Sequence, residues 1–219
     1  MNRIIFPLVI CFVALTNPIL AADPITISDF VVVQGVEGQE FTIELNNDQP
    51  YAAFQFDLYL PEGITINEDG FNATDRMEGI NLQMQQQTDG SYRFIAIPQK
   101  LTTNITGTSG AIITITVTAS SDVALKPLTG YFRNIKLSKA NGEGPTYSEM
   151  SFPITVVKNT IKGDANGDKE VNITDITYII DKINNKVPAD FDENAADLNG
   201  DGEINITDVT LVLDIINAK

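Results

Sequence analysis

The chain has 219 residues, of which 43% are hydrophobic, so it is long enough to bury the cores of one or two globular domains. Its formal net charge is -15, and so acidic a surface argues against nucleic acid or an anionic membrane as a partner. The chain contains no histidine, which excludes Ser-His and Cys-His catalytic arrangements.

Residues 1–22 are predicted to be a secretory signal peptide. Arg3 precedes an apolar run from Ile4 to Leu20, and small residues lead to cleavage near Ala22. No later segment is apolar for long enough to span a bilayer, so we expect a secreted protein, extracellular or at the cell surface. Cleavage would remove Cys11, leaving neither a disulfide nor a zinc site of the usual kind; a lipoprotein anchored through Cys11 is the alternative.

Residues 23–157 are predicted to form an antiparallel β-sandwich, because apolar and polar residues alternate between turn signals. In the clearest strand, one face carries Phe54, Phe56, Leu58 and Leu60, and the other carries Gln55, Asp57 and Tyr59. We expect the first face to be core and the second to contact water. Asp89-Gly90 predicts a hairpin. The other predicted strands are 25–33, 40–45, 81–86, 92–97, 111–118, 130–137 and 152–157.

Four segments of this region resemble the successive strands of a cohesin-type jelly-roll module. They are VVVQGVEGQEFTIELNND, FQFDLYLPEGITI, GTSGAIITITVTASSD and GYFRNIKLSKANG. That family is related in fold to carbohydrate-binding modules. However, Tyr59 stands alone on its face and the chain has no tryptophan, so few aromatic side chains are available to stack against sugars. No pair of carboxylates is singled out as a glycosidase pair, so we expect no catalysis.

After a short polar linker, residues 158–162, one acidic twelve-residue segment occurs twice, at an offset of 33 residues. Oxygen-bearing side chains occupy positions 1, 3, 5, 9 and 12 of each copy, and position 7 offers its backbone carbonyl. This spacing suits a hard cation with six to eight oxygen ligands, and we predict two calcium sites. The predicted ligands are Asp164, Asn166, Asp168, Glu170, Asn172 and Asp175 in the first loop, and Asp197, Asn199, Asp201, Glu203, Asn205 and Asp208 in the second.

The two loops differ at position 6, where the sharp turn normally requires glycine. The second loop has Gly202, whereas the first has Lys169, which must adopt a strained positive φ if the same turn is kept. We therefore predict that the first site is weaker or more mobile than the second.

A helix is predicted to follow each loop, and the two helices are predicted to pack on each other. Apolar residues recur with the spacing of one helical face, so each helix should bury one stripe. The stripes are Ile176, Ile179, Ile180 and Ile183 in the first helix, and Val209, Val212, Leu213 and Ile216 in the second.

Residues 163–219 resemble the type I dockerin, because the doubled loop-helix unit lacks an entering helix and has Asp at position 12. The segment ENAADLNGDGEINITD is similar to the central stretch of that family. The resemblance implies that this module binds a cohesin module on another protein, through loop positions 10 and 11 and the following helix. The residues at those places are Ile173, Thr174, Lys182, Ile206 and Thr207.

The sequence thus predicts a mainly β protein with a small α module: an antiparallel jelly-roll β-sandwich, then a dockerin of two calcium loop-helix repeats. The predicted function is a secreted, non-catalytic adaptor in an extracellular polysaccharide-degrading or cell-surface assembly. The alternative is a carbohydrate-binding accessory module that its dockerin delivers to an enzyme complex. Recognition between a dockerin and the sandwich of another copy would give head-to-tail self-association.

Overall fold

The computed structural model describes residues 23–218. The predicted signal peptide, with Cys11, lies outside the described residues. No helix in the described range is long and apolar enough to cross a membrane.

The strands are β1 (Ile25–Ile27), β2 (Val31–Val33), β3 (Gln39–Leu45), β4 (Ala53–Tyr59), β5 (Ile64–Ala73), β6 (Ile80–Gln86), β7 (Tyr92–Pro98), β8 (Ala111–Ala119), β9 (Leu128–Ser138) and β10 (Thr146–Val157). The helices are α1 (Ile173–Ile183), α2 (Glu193–Ala196) and α3 (Ile206–Asn217).

The strands form two sheets that pack into the predicted β-sandwich. The smaller sheet has the order β1-β3-β8-β5, and the larger has the order β2-β10-β9-β4-β7-β6. The hairpin predicted at Asp89-Gly90 joins β6 to β7, and Gly90 has φ 84°. The neighbouring strands are antiparallel except for β2, which pairs in parallel with the end of β10. The predicted antiparallel sandwich is confirmed, and this one parallel pair is the exception to it.

The first predicted strand, 25–33, is in fact two strands in different sheets. Asp29 has φ 50°, in the left-handed region that Asp tolerates better than most residues, and it turns the chain between β1 and β2. Strand β1 then joins β3, whereas β2 joins β10. Apolar alternation could not reveal this division, because both halves contribute buried residues to the same core.

Strand β5 was not predicted, because its middle contains the polar sequence Asn67-Glu68-Asp69-Gly70. Its pairing with β8 shifts register between Ile66 and Phe71, so the polar residues bulge while both ends remain paired. Gly70 is required at this point, because a Cβ there would lie 2.8 Å from the carbonyl oxygen of Thr116.

The core of the sandwich is built around aromatic rings from the larger sheet. Phe56 is fully buried, and its ring centroid lies 5.1 Å from that of Phe94 and 5.3 Å from that of Phe132. Phe54, Phe56 and Leu58 are therefore core residues, as the alternation predicted. Such ring pairs add to the stabilisation that burial itself provides.

Asp57 corrects the expectation that the other face of β4 contacts water throughout. This residue is 1% exposed, and the Arg93 Nε and Nη2 atoms donate to its two carboxylate oxygens at 2.6 and 2.8 Å. The Asn134 Nδ2 atom donates to the Oδ2 atom at 2.6 Å. The hydrogen bonds from Arg93 are the main reason that the pKa of Asp57 is lowered, and they outweigh the effect of burial.

The C-terminal segment has a separate small core in which α1 packs on α3. Ile179 and Val212 are fully buried at the centre of this core, in agreement with the predicted stripes. Three stripe residues do not follow the prediction, because Ile180, Ile183 and Leu213 are 40%, 39% and 43% exposed. A pair of short helices has too little partner surface to cover a whole apolar face.

Candidate functional site

Each acidic loop is folded around the carboxylate at its first position. In the first loop, the Asp164 carboxylate accepts hydrogen bonds from the backbone N–H groups of Asp168, at 3.0 Å, and Lys169, at 2.9 Å. In the second loop, Asp197 accepts the corresponding position-6 bond from Gly202, at 3.0 Å, while its other bond comes from Gly200 at position 4, at 2.8 Å. These local bonds curl both loops without any regular secondary structure.

Positions 3, 5 and 7 form a second repeated motif. The Asn166 Oδ1 atom accepts from the Asp168 N–H at 3.0 Å, and the Asp168 Oδ1 atom accepts from the Glu170 N–H at 2.9 Å. The Asn166 Nδ2 atom also donates to Asp168 Oδ2, at 2.7 Å. The same three bonds, at 3.0, 2.8 and 2.6 Å, occur in the second loop among Asn199, Asp201 and Glu203.

Positions 9 and 12 close each loop and begin the following helix. Asn172 is the N-cap of α1, and its side chain accepts from the Thr174 N–H at 2.8 Å, while the Asn172 N–H donates to Asp175 Oδ2 at 2.9 Å. This reciprocal pair is a capping box, with Asp in the place that Glu or Gln usually takes. Asn205 and Asp208 repeat it at α3, with Thr207 N–H as the donor to Asn205.

Of the four carboxylates that begin and end the loops, three are buried, and Asp197 is half-buried. Asp164 is 5% exposed, and Asp175 and Asp208 are 0% exposed. Within residues 23–218, no Lys or Arg forms an ion pair with any of the three. Buried carboxylates without a cationic partner are costly, so this arrangement suits a bound cation.

The donor set of the loops fits calcium better than a softer metal. In residues 23–218, no group of three or more His, Cys, Asp or Glu side chains is by itself placed to hold a metal ion. Each predicted site also relies on two Asn side chains and one backbone carbonyl, and oxygen donors of this mixed kind are those that calcium takes. Thiolate and imidazole donors, which zinc prefers, are absent from these loops.

Lys169 keeps the turn that glycine makes in the second loop. Its φ is 74°, compared with 82° for Gly202, so both loops turn alike at position 6. The predicted positive φ is therefore found, and the lysine adopts a left-handed conformation that costs a non-glycine residue about 1–2 kcal/mol.

The Ile-Thr pair at positions 10 and 11 lies at the surface in both repeats. Ile173 and Ile206 are the first residues of α1 and α3, and they are 67% and 68% exposed. Thr174 and Thr207 are exposed beside them. The chain thus presents the same apolar and hydroxyl groups twice, next to the two loops.

Lys182 is already engaged within its own domain. It forms an ion pair with Glu193, and its Nζ atom lies 5.6 Å from the centroid of the Phe191 ring. Of the residues expected to contact a partner, Lys182 is thus held by local interactions, while the side chains of the four Ile and Thr residues are exposed.

Sequence reasoning missed a polar cluster on the outer face of the larger sheet. Tyr131 lies opposite Tyr59 in the pairing of β4 with β9, and the guanidinium carbon of Arg133 lies 4.7 and 5.3 Å from the centroids of Tyr59 and Tyr131. Tyr59 also donates a hydrogen bond to Asp89, at 2.8 Å. This bond acts with hydrogen bonds from Ser91, which contribute most, to lower the pKa of Asp89 to about 2.

The linker lacks a Pro/Ser tract, so limited freedom was expected of it, but the contacts that fasten it to the repeat were not predicted. Lys158 forms an ion pair of 2.6 Å with Asp192, the N-cap of α2. Burial alone would raise the pKa of Asp192, but the bonds from Lys158 and from the Ala195 and Asn194 N–H groups lower it. The lysines of the linker are the sequence feature that could suggest ion pairs with the acidic repeat.

Comparison with protein families gives one match, the dockerin type I domain, over residues 162–217. These residues contain both acidic loops and α1 to α3. Residues 162–217 form a dockerin type I domain. Dockerin domains of this type bind calcium, and they are typically non-catalytic. No curated protein matches the chain.

Solved cohesin structures resemble the β-sandwich. The sixth cohesin of scaffoldin B from Acetivibrio cellulolyticus, solved in complex with a mutant Cel5 dockerin, is 10% identical, with a TM-score of 0.50, over 61% of this chain and 97% of that one. A cohesin module from a family 33 glycoside hydrolase of Clostridium perfringens is 13% identical, with a TM-score of 0.48, over 62% of this chain and 96% of that one. The first similarity shows that the sandwich has a cohesin-like fold.

Proposed function

We propose that this chain is a secreted, non-catalytic, calcium-binding adaptor whose dockerin domain attaches it to a cohesin module of another protein. The observation that carries the proposal is the repeated surface beside the loops, where Ile173-Thr174 and Ile206-Thr207 are exposed at the starts of two matching helices. An exposed isoleucine gains from burial against a partner. Two of them in equivalent places favour a docking surface.

Two calcium ions belong to this proposal, one in each loop. Their ligands are Asp164, Asn166, Asp168, Glu170, Asn172 and Asp175 for one ion, and Asp197, Asn199, Asp201, Glu203, Asn205 and Asp208 for the other. Glu170 and Glu203 serve through their backbone carbonyls. The ion supplies the positive charge that the buried carboxylates lack, so calcium stabilises the loops that position the docking surface.

The internal repeat permits two docking orientations. Positions 10 and 11 are identical in the two copies, so a partner can engage either pair by rotating about the internal two-fold axis. The repeat is unequal elsewhere, because Lys182 in α1 corresponds to Ile215 in α3. Contact with the helix surfaces would therefore distinguish the two orientations.

The cohesin-like sandwich adds a second part to the proposal, in which copies of this chain assemble with one another. The scaffoldin cohesin that it resembles in fold was solved with a dockerin bound to it. If this sandwich also accepts the dockerin of a second copy, the contact is head-to-tail and propagates into filaments. The predicted signal peptide supports an assembly outside the cytoplasm, and we propose a polysaccharide-degrading or cell-surface complex.

A carbohydrate-binding sandwich is the second candidate function, favoured by the pair of Tyr59 and Tyr131 on one sheet face. Two neighbouring tyrosines are a better platform for sugars than the single one expected from the sequence. However, the guanidinium of Arg133 covers both rings, which leaves less aromatic surface for stacking. A glycan array probed with the full chain decides between the two roles.

Binding of the full chain to a panel of type I cohesin modules and to a second copy of itself, by biolayer interferometry, tests the docking proposal. We expect binding with calcium and none with chelator. A double Ile173→Asp, Ile206→Asp variant should lose at least about 30-fold in affinity, because it removes both apolar anchors. Each single variant should lose less, because the other pair remains usable. Ile97→Asp, at a 55% exposed isoleucine of the sandwich, is the matched control for the dockerin contact.

The outcomes separate the candidates. Binding to a cohesin that is insensitive to both calcium and the double substitution would overturn the proposed surface. Binding to glycans and to no cohesin would favour the carbohydrate-binding role. Concentration-dependent oligomers that disappear with chelator would establish the head-to-tail contact.

A further inference from the structure

The chain segments that enter the two calcium loops lie side by side. The Gly163 N–H donates to the carbonyl oxygen of Ala195 at 2.9 Å, and the Asp192 N–H donates to that of Ala165 at 3.0 Å. Ala165 is position 2 of the first loop, and Ala195 lies two residues before Asp197, position 1 of the second. Because Ala165 and Ala195 are 0% and 1% exposed, water cannot readily replace these bonds.

Gly163 allows close packing within the first loop. Its φ is 95°, and a Cβ at this position would lie 2.9 Å from Val171 Cγ1. Glycine therefore lets the entrance of the first loop lie against position 8 of the same loop.

Lys162 adds a side-chain bridge between the two entrances. Its Nζ atom donates to the carbonyl oxygens of Asn194, at 2.9 Å, and Asp197, at 2.6 Å. These carbonyls lie at the end of α2, where backbone oxygens have no partner within the helix. The backbone of Lys162 adjoins the first loop, while its ammonium holds the first ligand residue of the second.

This bridge breaks the symmetry of the repeat. The residue 33 positions after Lys162 is Ala195, so the second repeat has an alanine where the first has the lysine. The contact is therefore an addition to the repeated loop-helix unit, and it is not required for either loop to form its own internal hydrogen bonds.

We propose that Lys162 is a positioning residue that couples the two calcium loops. Ordering the first loop fixes Gly163 and Ala165, which brings the Lys162 ammonium to the Asp197 carbonyl and favours the ordered second loop. Thermodynamic linkage makes the effect reciprocal. The inference rests on the proposed function in one respect, because both loops must bind calcium.

Calorimetric calcium titration of the full chain tests the coupling. Coupling between sites commonly changes affinity by about 5- to 150-fold, and we expect Lys162→Met to weaken calcium binding at the second loop by at least about 5-fold. Lys162→Arg should restore binding, because it keeps the cation. Lys186→Met, which removes the same charge from an exposed lysine after α1, is the matched control.

Testing Lys162→Met in a variant whose first loop is disabled separates coupling from a merely structural role. Asp168→Ala disables the first loop at an exposed ligand, so Lys162→Met should then have little effect on the second loop. An equal effect in both backgrounds would overturn the coupling and leave Lys162 as a local support. Unchanged affinities in Lys162→Met would overturn it while leaving the calcium sites intact. A wild-type chain that binds no calcium would overturn the proposed function as well.

Discussion

At the sixth loop position, a lysine and a glycine adopt nearly the same left-handed backbone conformation. Lys169 bears the steric cost of that conformation, and it also adds a positive charge to a loop that is predicted to bind a cation. We predict that Lys169→Gly tightens calcium binding at the first loop by roughly 5-fold. Glycine removes the backbone strain, although it also makes the unordered loop more flexible and so more costly to order. We expect the first effect to exceed the second by about 1 kcal/mol. Calorimetric titration measures this change.

The reciprocal substitution is the control. Gly202→Lys places the same side chain at φ 82° in the second loop, and it should weaken that site by a similar factor. If Lys169→Gly leaves the first site unchanged or weaker, then backbone strain does not set the difference between the loops.

Asp57 shows how a buried carboxylate makes stability depend on pH. Its pKa is lowered in the folded chain, chiefly by Arg93, so its contribution to stability is fully present above the ordinary Asp value and is lost as the pH falls. We predict that Asp57→Asn lowers the free energy of unfolding at neutral pH by about 2 kcal/mol. The loss is moderate because the Arg93 side chain is 35% exposed and can regain water.

Urea unfolding at a series of pH values checks this prediction. The variant should show less loss of stability than the wild type between neutral pH and about pH 3, because its amide does not titrate in that range. Equal acid sensitivity in the two proteins would show that Asp57 is not a main source of the pH dependence.

At the scale of elements, two adjacent isoleucines of α1 provide a matched test of its packing on α3. Ile179 is fully buried and Ile180 is 40% exposed. We predict that Ile179→Ala costs the dockerin domain about 2–5 kcal/mol, because it leaves a cavity between the helices. Ile180→Ala should change stability by no more than about 0.5 kcal/mol, because little apolar surface is lost and alanine favours the helix.

Far-UV circular dichroism in the presence of calcium, followed through thermal unfolding, measures both variants. The helical signal reports on the dockerin domain, since α1 to α3 all lie within it. Equal destabilisation by the two substitutions would contradict the observed packing of α1 on α3.

The elements were predictable where one local pattern determined them. Alternation located β4 and β7, and the matched apolar stripes located α1 and α3. Alternation failed where tertiary contacts determine the structure. Asp29 divides one apolar run between two sheets, and the polar residues that bulge from β5 interrupt the alternation of that strand. The stripes also predicted more burial than a pair of short helices can supply.

At the scale of the whole molecule, lysine side chains of the linker fasten it to the dockerin domain, in keeping with the limited freedom that its composition predicts. Lys158 adjoins the end of β10 and binds Asp192, and Lys162 binds the end of the same short helix, α2. The turns and helix starts that contain the twelve proposed ligands could be predicted from spacing alone, because they depend on residues close together in the sequence. These lysine contacts could not, because they join segments about 30 residues apart and depend on how the domain folds.

The proposed docking surface and the bridge of Lys162 both depend on calcium in the two loops. Native mass spectrometry of the full chain counts the bound ions directly. We predict two calcium ions for the wild type, one each for Asp168→Ala and Asp201→Ala, and none for the double variant. A wild type that binds no calcium, or single variants that still bind two ions, would contradict the account.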